Sequence, residues 1–257
     1  MFYTNIDRYG NNLLFRGYDK RGPITKKVKF EPTFHIPNNS TDEGWKSLAG
    51  QSLAEIRPGT MRDCKDFLTK YEDVANFKVY GTNNYTHQFI SEVFPGTVKY
   101  DRTKINICTI DIEVGSENGF PEPDQALYEI ITITIKNNNG SIYHTWGTKE
   151  FNADKCSQNV LYRKCADERD LLLDFLEYWE NHIPDILTGW YSDSFDIPYI
   201  VNRIRRILGD DAILGLSPWR RVEVNDKKIA GKEIPGFNIV GVSQLDYIDL
   251  FKKFTLN

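Results

Sequence analysis

The sequence predicts an α/β (α+β) protein in which a mixed sheet flanked by helices follows a small β-rich domain. Three observations carry that prediction. Short strand-like runs separated by turn signals open the chain, long β-rich runs then alternate with helical patterns, and the change falls near Pro95-Gly96-Thr97-Val98-Lys99-Tyr100. The boundary divides a domain over 1–100 from one over 101–257, and 257 residues with 40% hydrophobic side chains suffice for one large core or two ordinary ones.

In chain order, runs over 2–6, 12–18 and 24–30 predict a small antiparallel sheet, punctuated by Tyr9-Gly10-Asn11-Asn12 and Asp19-Lys20-Arg21-Gly22-Pro23. The polar stretch 37–43 leads into an expected short helix. A second helix is expected over 60–71, where Met61, Phe67, Leu68 and Tyr71 recur at helical spacing. Nothing catalytic stands out in this part. Beyond the boundary the expected elements are strand 105–114, strand 129–136, a hairpin turn at Asn137-Asn138-Asn139-Gly140 and strand 141–147. Helix 167–182 follows, with Asp167 as N-cap and Pro184 past its end; then come strand 186–190, helix 197–208 and a strand around 238–248. A β-hairpin is expected between 220–228 and 234–242.

No apolar run approaches membrane-spanning length, and the N-terminus lacks the basic, apolar and small-residue regions of a signal peptide, so the chain reads as cytoplasmic with no membrane partner. Cys64, Cys108, Cys156 and Cys165 are scattered, which argues against a zinc site or a disulfide framework; Cys108 reads as a packed core thiol. The net charge of −4 does not mark a nucleic-acid binder, yet basic residues cluster at Lys26/Lys27/Lys29, Arg203/Arg205/Arg206, Arg220/Arg221, Lys227/Lys228 and Lys252/Lys253. Each cluster fits either a solvated face or a phosphate contact.

Chemistry concentrates in the run 105–114. A strand has a period of two, so Asp111 and Glu113 point to one face while Ile110, Ile112 and Val114 point to the other. Two carboxylates in an apolar setting repel unless a cation or hydrogen bonds compensate. With oxygen ligands and no nearby His or Cys, the suitable ion is Mg2+ or Mn2+ rather than zinc. A purely structural pair is the alternative, as at Glu122/Asp124 and Glu168/Asp170, where a Pro-rich loop and a helix start account for the acids. Asp196, ahead of Ile197-Pro198, fits an N-cap, but the strand before it would also deliver it to the sheet edge, facing the pair. Three acids around hard cations suit two-metal phosphodiester hydrolysis. A glycosidase is disfavoured, because acids at i and i+2 share one side instead of flanking a sugar. The pattern is compatible with a ribonuclease-H-like fold.

Three segments carry a family resemblance. They are Asp111-Ile112-Glu113-Val114 continuing into Asn118-Gly119-Phe120-Pro121-Glu122-Pro123; Leu187-Thr188-Gly189-Trp190 through Ser194-Phe195-Asp196-Ile197-Pro198-Tyr199; and 245–254, beginning Leu245-Asp246-Tyr247. With the opening 1–37, they resemble the family B DNA polymerases, in particular the replicative polymerases of T-even-like bacteriophages, over essentially the entire chain. The resemblance implies a ribonuclease-H-like 3′→5′ proofreading exonuclease domain over 101–257 after the family's N-terminal domain over 1–100, acting in the host cytoplasm. It implies a two-metal Mg2+ (or Mn2+) site on Asp111, Glu113 and Asp196, with single-stranded DNA at the primer end of a primer-template as substrate. Phe120 would stack on a base; without the resemblance it reads as a loop anchor beneath Pro121 and Pro123. The hairpin would help separate primer from template, with Arg220, Lys227 and Lys228 near DNA.

Tyr191 stands where the family usually carries an Asn that contacts the terminal nucleotide. The chain stops at Asn257, before the family's third exonuclease motif and every polymerase motif, so the resemblance implies a truncated product or one half of a split enzyme. Its partner would be the C-terminal polymerase portion, as a second chain or a missing segment. A non-catalytic nucleic-acid- or subunit-binding fragment is the competing reading. For a free-standing exonuclease, Asp246 or Asp249 would have to substitute for the absent ligand.

Overall fold

The structure is a computed structural model that describes residues 1–39, 44–75, 77–116, 119–225, 227–229, 232–234 and 236–255; of 227–229 and 232–234 it describes the backbone alone. The chain forms two compact units, Met1–Tyr100 and Asp101–Asn257.

In the first unit, β1 (Phe2–Tyr9), β2 (Asn12–Tyr18) and β3 (Pro23–Lys29) make an antiparallel meander. A second small sheet, in the order β4-β6-β5, joins β4 (Phe34–Pro37), β5 (Trp45–Lys46) and β6 (Ser52–Ile56). Helix α1 (Met61–Tyr71) begins with a capping box, in which Thr60 Oγ1 accepts the Asp63 N–H and Asp63 Oδ2 accepts the Thr60 N–H. Helix α2 (Tyr85–Val93) is capped by Asn84 and buries Tyr85 and Phe89, one turn apart. Leu13, Phe15, Phe34, Met61, Cys64, Tyr85 and Phe89 form the core.

Two expectations fail here. No short helix follows the polar stretch, of which 40–43 lies outside the described residues; β5 and β6 stand in its place, because β6 has an edge of β4 to pair with. Helix α2 was not expected, since its nine residues carry only two buried aromatic anchors and a buried Gln88, whose amide hydrogen-bonds the Thr33 and Thr82 backbone.

The second unit is a six-stranded mixed sheet in the order β10-β9-β8-β7-β11-β16. Its strands are β7 (Ile107–Val114), β8 (Ile130–Asn137), β9 (Tyr143–Gly147), β10 (Val160–Lys164), β11 (Ile186–Thr188) and β16 (Ser243–Gln244). β7-β8-β9 run antiparallel, while β10, β11 and β16 join in parallel. One face is covered by α3 (Glu168–Asn181) and α4 (Asp196–Leu208). Ile110 and Ile112 of β7, Ile133 and Ile135 of β8 and Trp146 of β9 bury against Leu171, Phe175 and Trp179 of α3 and Ile197, Ile200 and Ile204 of α4. Cys108 lies in this core, and all four cysteines are free thiols. Asp167 accepts the Asp170 N–H and so caps α3 as expected.

The predicted hairpin exists as two short ladders. β12 (Val222–Val224) pairs with β15 (Phe237–Ile239), and β13 (Lys227–Ile229) pairs with β14 (Lys232–Ile234). The strand expected around 238–248 divides into β15, β16 and the start of α5 (Tyr247–Thr255), because Gly241 turns the chain at φ 91° between them. The side chain of Gln244 bridges that turn, accepting the Ile239 N–H and donating to the Phe237 carbonyl. Among the described residues, no helix is long and apolar enough to cross a membrane.

Candidate active site

β7 alternates as its sequence requires: Cys108, Ile110 and Ile112 are buried, while Thr109, Asp111 and Glu113 lie on the face opposite the helices. On β8, Thr134 stands opposite Asp111 and Thr132 opposite Glu113, so small polar side chains keep that face open.

The third acid arrives differently from a capping residue. β11 pairs with β7 only as far as Thr188–Thr109, and the chain then leaves the sheet at Gly189. A Cβ at Gly189 would lie 2.7 Å from the Ile110 carbonyl oxygen, so only glycine permits this departure. Past that point the edge of β7 needs another acceptor. Asp196 supplies it: its Oδ1 accepts the Ile112 N–H at 3.0 Å. Phe195, not Asp196, is the N-cap of α4, and no side chain caps that helix. The cap reading is therefore corrected, since the carboxylate turns back onto the strand that carries the other two acids.

Electrostatics single out the same residue. Burial pushes the Asp196 pKa up to about 7, with like-charge repulsion from Asp111 and Asp246 adding to the rise and the Ile112 N–H opposing it. Partial burial raises Asp111 as well. Asp111 thus repels Asp196. Among the described residues no basic side chain pairs with Asp196. The donor set is oxygen throughout, which suits a hard divalent ion. No group of three or more His, Cys, Asp or Glu side chains is gathered closely enough to cage a metal among the described residues.

Asp246 spends its carboxylate on backbone donors. Its Oδ1 accepts the N–H of Tyr191 at 2.9 Å and of Ile248 at 3.0 Å, and its Oδ2 accepts that of Asp193 at 3.1 Å. One buried carboxylate thus organises the 189–196 turn and the first turn of α5. Tyr191 sits in that turn with φ 63°, a left-handed conformation costly for a bulky side chain. Asp249 lies exposed on α5.

Phe120 is 72% exposed, and its ring lies 5.3 Å from that of Phe195, the residue before Asp196. A loop anchor would be buried; in this loop the buried residues are Pro121 and Ala126. Its neighbour Asn118 lies outside the described residues. Arg220 is not brought to the acids: it pairs at 3.8 Å with Glu180 on α3, on the helix-covered side of the sheet. The side chains of Lys227 and Lys228, with Asp226, lie outside the described residues.

The cluster Arg203/Arg205/Arg206 is no phosphate patch. Arg203 is buried in a bidentate pair with Glu168, both contacts 2.6 Å. Arg205 lies over the Phe237 ring and reaches Asp210, and Arg206 donates to the Gln125 carbonyl. Charge clustering alone does not reveal this use. The signal was there in Tyr199, Asn202, Arg203 and Arg206, hydrogen-bonding residues spaced to share one side of a helix.

Comparison with known proteins identifies the family. Residues 53–256 match the DNA polymerase family B, exonuclease domain. The chain is 31% identical over 282 residues to the DNA-directed DNA polymerase of Escherichia phage RB69, covering 99% of this chain and 31% of that protein. It is 31% identical over 280 residues to the enzyme of Enterobacteria phage T4, covering 98% and 30%. The DNA polymerase catalytic subunit of Alcelaphine herpesvirus 1 is 29% identical over 116 residues, covering 42% and 11%. The chain therefore spans under a third of the length of these relatives. The mixed six-stranded sheet is the ribonuclease-H-like architecture of such exonuclease domains. With the family match running over most of its length, the chain belongs to the family B DNA polymerases, and the match is to their exonuclease-domain model.

Proposed function

We propose that this chain carries the 3′→5′ proofreading chemistry of a viral replicative polymerase, shortening single-stranded DNA at primer ends, with Asp111, Glu113 and Asp196 as ligands of two Mg2+ or Mn2+ ions. Family B exonuclease domains depend on divalent metal ions. The observation that carries the reading is the buried Asp196 carboxylate, fixed on the Ile112 N–H beside Asp111 with no cation opposite it among the described residues. Divalent ions bound there would supply the positive charge that in-line phosphodiester hydrolysis needs. Such ions commonly take one or two carboxylates and complete their shell with water and substrate phosphate, so a preformed three-acid cage is not required.

The chain's own residues divide the remaining work. The Ile112 N–H holds Asp196 in one orientation, and Asp111 and Glu113 present their oxygens on the open face. Phe120 offers an exposed ring for a base of the unpaired end. Tyr191 lines the path of the terminal nucleotide, Lys227 and Lys228 contact phosphates from the hairpin, and Arg220 braces the hairpin through Glu180. In this reading 1–100 is the family's N-terminal domain, 101–257 the exonuclease domain, and the work is done in the host cytoplasm alongside a polymerase portion.

Degradation of a 5′-labelled single-stranded oligonucleotide tests the proposal, with and without an added polypeptide that covers the rest of the relatives' length. Mg2+-dependent shortening from the 3′ end, reduced at least about 100-fold by Asp111→Ala, supports it. No shortening in either arrangement, or shortening indifferent to Asp111→Ala, contradicts it. The absence of a three-acid cluster among the described residues favours one second reading, a non-catalytic DNA- or subunit-binding part. That reading requires DNA binding with no Mn2+ binding.

A further inference from the structure

Below Asp196, one side of α4 carries a row of hydrogen-bonding side chains directed at the backbone of the loop that follows Phe120. Tyr199 Oη donates to the Tyr128 carbonyl at 2.8 Å and accepts the Tyr128 N–H at 3.1 Å. Asn202 Nδ2 donates to the Pro123 carbonyl at 2.9 Å. Arg203 Nη1 donates to the carbonyls of Ala126 and Leu127 at 3.0 and 3.1 Å, and Arg206 Nη2 to that of Gln125 at 2.9 Å.

These contacts grip nearly every residue from Pro123 to Tyr128 by its main chain. Glu168 locks Arg203 from the far side and accepts the Ile130 N–H at 2.7 Å, so the loop's exit into β8 is tied to the same pair. Within the loop, Ala126 is buried with φ 40°, a conformation that persists only where surrounding contacts over-determine it. At the N-terminal end of α4, the ring of Phe195 lies 5.3 Å from Phe120 and 5.6 Å from Tyr199. The helix whose first residue is Asp196 therefore also holds the loop bearing the exposed aromatic ring.

We infer that Tyr199, Asn202 and Arg203 are positioning residues that set the Phe120 ring in fixed register with Asp196, making the base-stacking surface and the third acid parts of one rigid body. None of the three touches the nucleic acid; they act through Phe120. Because their acceptors are carbonyls, these contacts do not depend on which side chains the loop carries. Loop stabilisation alone would not couple these residues to DNA, and that is where the two ideas separate. The inference rests on the proposed stacking role of Phe120.

A double-mutant cycle on the full chain, run in EDTA, tests it with a single-stranded oligonucleotide carrying 2-aminopurine at its 3′ end. Phe120→Ala is expected to raise the Kd about tenfold and to remove the emission change, within what stacking of a base on an aromatic is worth. Asn202→Ala is expected to raise it about fivefold, the scale of one hydrogen bond. The double variant should bind no more weakly than Phe120→Ala alone, and amide exchange at 125–128 should accelerate in Asn202→Ala while α3 stays protected.

Tyr199→Phe repeats the cycle at a second contact, which keeps the test decisive if one variant folds poorly. Independent effects that multiply to about 50-fold, or no effect of Asn202→Ala and Tyr199→Phe on binding, overturn the positioning role while leaving Phe120 as a stacking residue. Unchanged binding by Phe120→Ala overturns the stacking reading itself, and the inference with it.

Discussion

Two buried acids open two neighbouring helices of the second unit and meet opposite fates. Glu168, first residue of α3, is 8% exposed, and Asp196, first residue of α4, is 5% exposed. Glu168 has a bidentate guanidinium on its two oxygens and the Ile130 N–H besides. Asp196 has the Ile112 N–H and two like charges, Asp111 and Asp246. Burying a carboxylate is tolerated where its charge is matched. The first acid is matched from within the fold and holds helices and loop together; the second is left unmatched among the described residues.

The sharpest way to break the contrast is to remove the match. Arg203→Ala leaves Glu168 buried without its cation and should cost about 3–5 kcal/mol in urea unfolding; a loss under about 1 kcal/mol would show that the pair is not what joins α3 to α4. The converse change relieves the unmatched acid. The Asp196 pKa lies near 7 in the folded chain against 3.8 ordinarily, so between those values the folded state binds the proton that the unfolded state has released. Stability therefore falls as pH rises from about 4 to about 7, by a few kcal/mol in the metal-free chain. Asp196→Asn keeps an acceptor for Ile112 and removes the titration, so it should be the more stable protein at pH 8 in EDTA by roughly 2 kcal/mol. The gap should close below pH 4; a gap that does not vary with pH would contradict the assignment.

Smaller effects surround the 189–196 turn. Asp246→Ala deprives three N–H groups of their acceptor and should destabilise by about 1–3 kcal/mol, read by calorimetry. It should also loosen Tyr191, whose left-handed backbone depends on that acceptor. Tyr191→Asn should raise the Tm slightly, by roughly 0.5–1 kcal/mol of stability, because Asn tolerates φ near 60° better than Tyr. A lower Tm would mean that the phenol makes a contact worth more than the strain.

How much of this was legible follows from the range of each interaction. The alternation of β7 was readable because period two is local, and so were the cap of α3 at Asp167 and the mixed α/β character. The helix expected after residue 43 failed because β6 answers to β4, a partner that a short polar window does not reveal. Asp196 was picked out and expected to face the pair, but the backbone donor that fixes it was not visible. Its local pattern says N-cap, while its partner on β7 is 84 residues away. Asp246 looked like a spare ligand for the same reason, since two of its three donors lie 53 and 55 residues back in the chain. The Arg203 cluster looked solvated or phosphate-binding because charge is visible in sequence, whereas a buried Glu168 to neutralise it is not.

In the proposed function Asp196 stays unmatched to receive a divalent ion, and Mn2+ titration by calorimetry at pH 6.5 and pH 8, in buffers of different ionisation heat, decides whether it does. The unaltered chain should bind Mn2+ with proton release at pH 6.5 that fades by pH 8, as the ion displaces the proton of a group with a pKa near 7. Both the binding and the proton release should be lost in Asp196→Asn. Equal Mn2+ binding by the chain and by Asp196→Asn, or no Mn2+ binding by the unaltered chain at either pH, would contradict it.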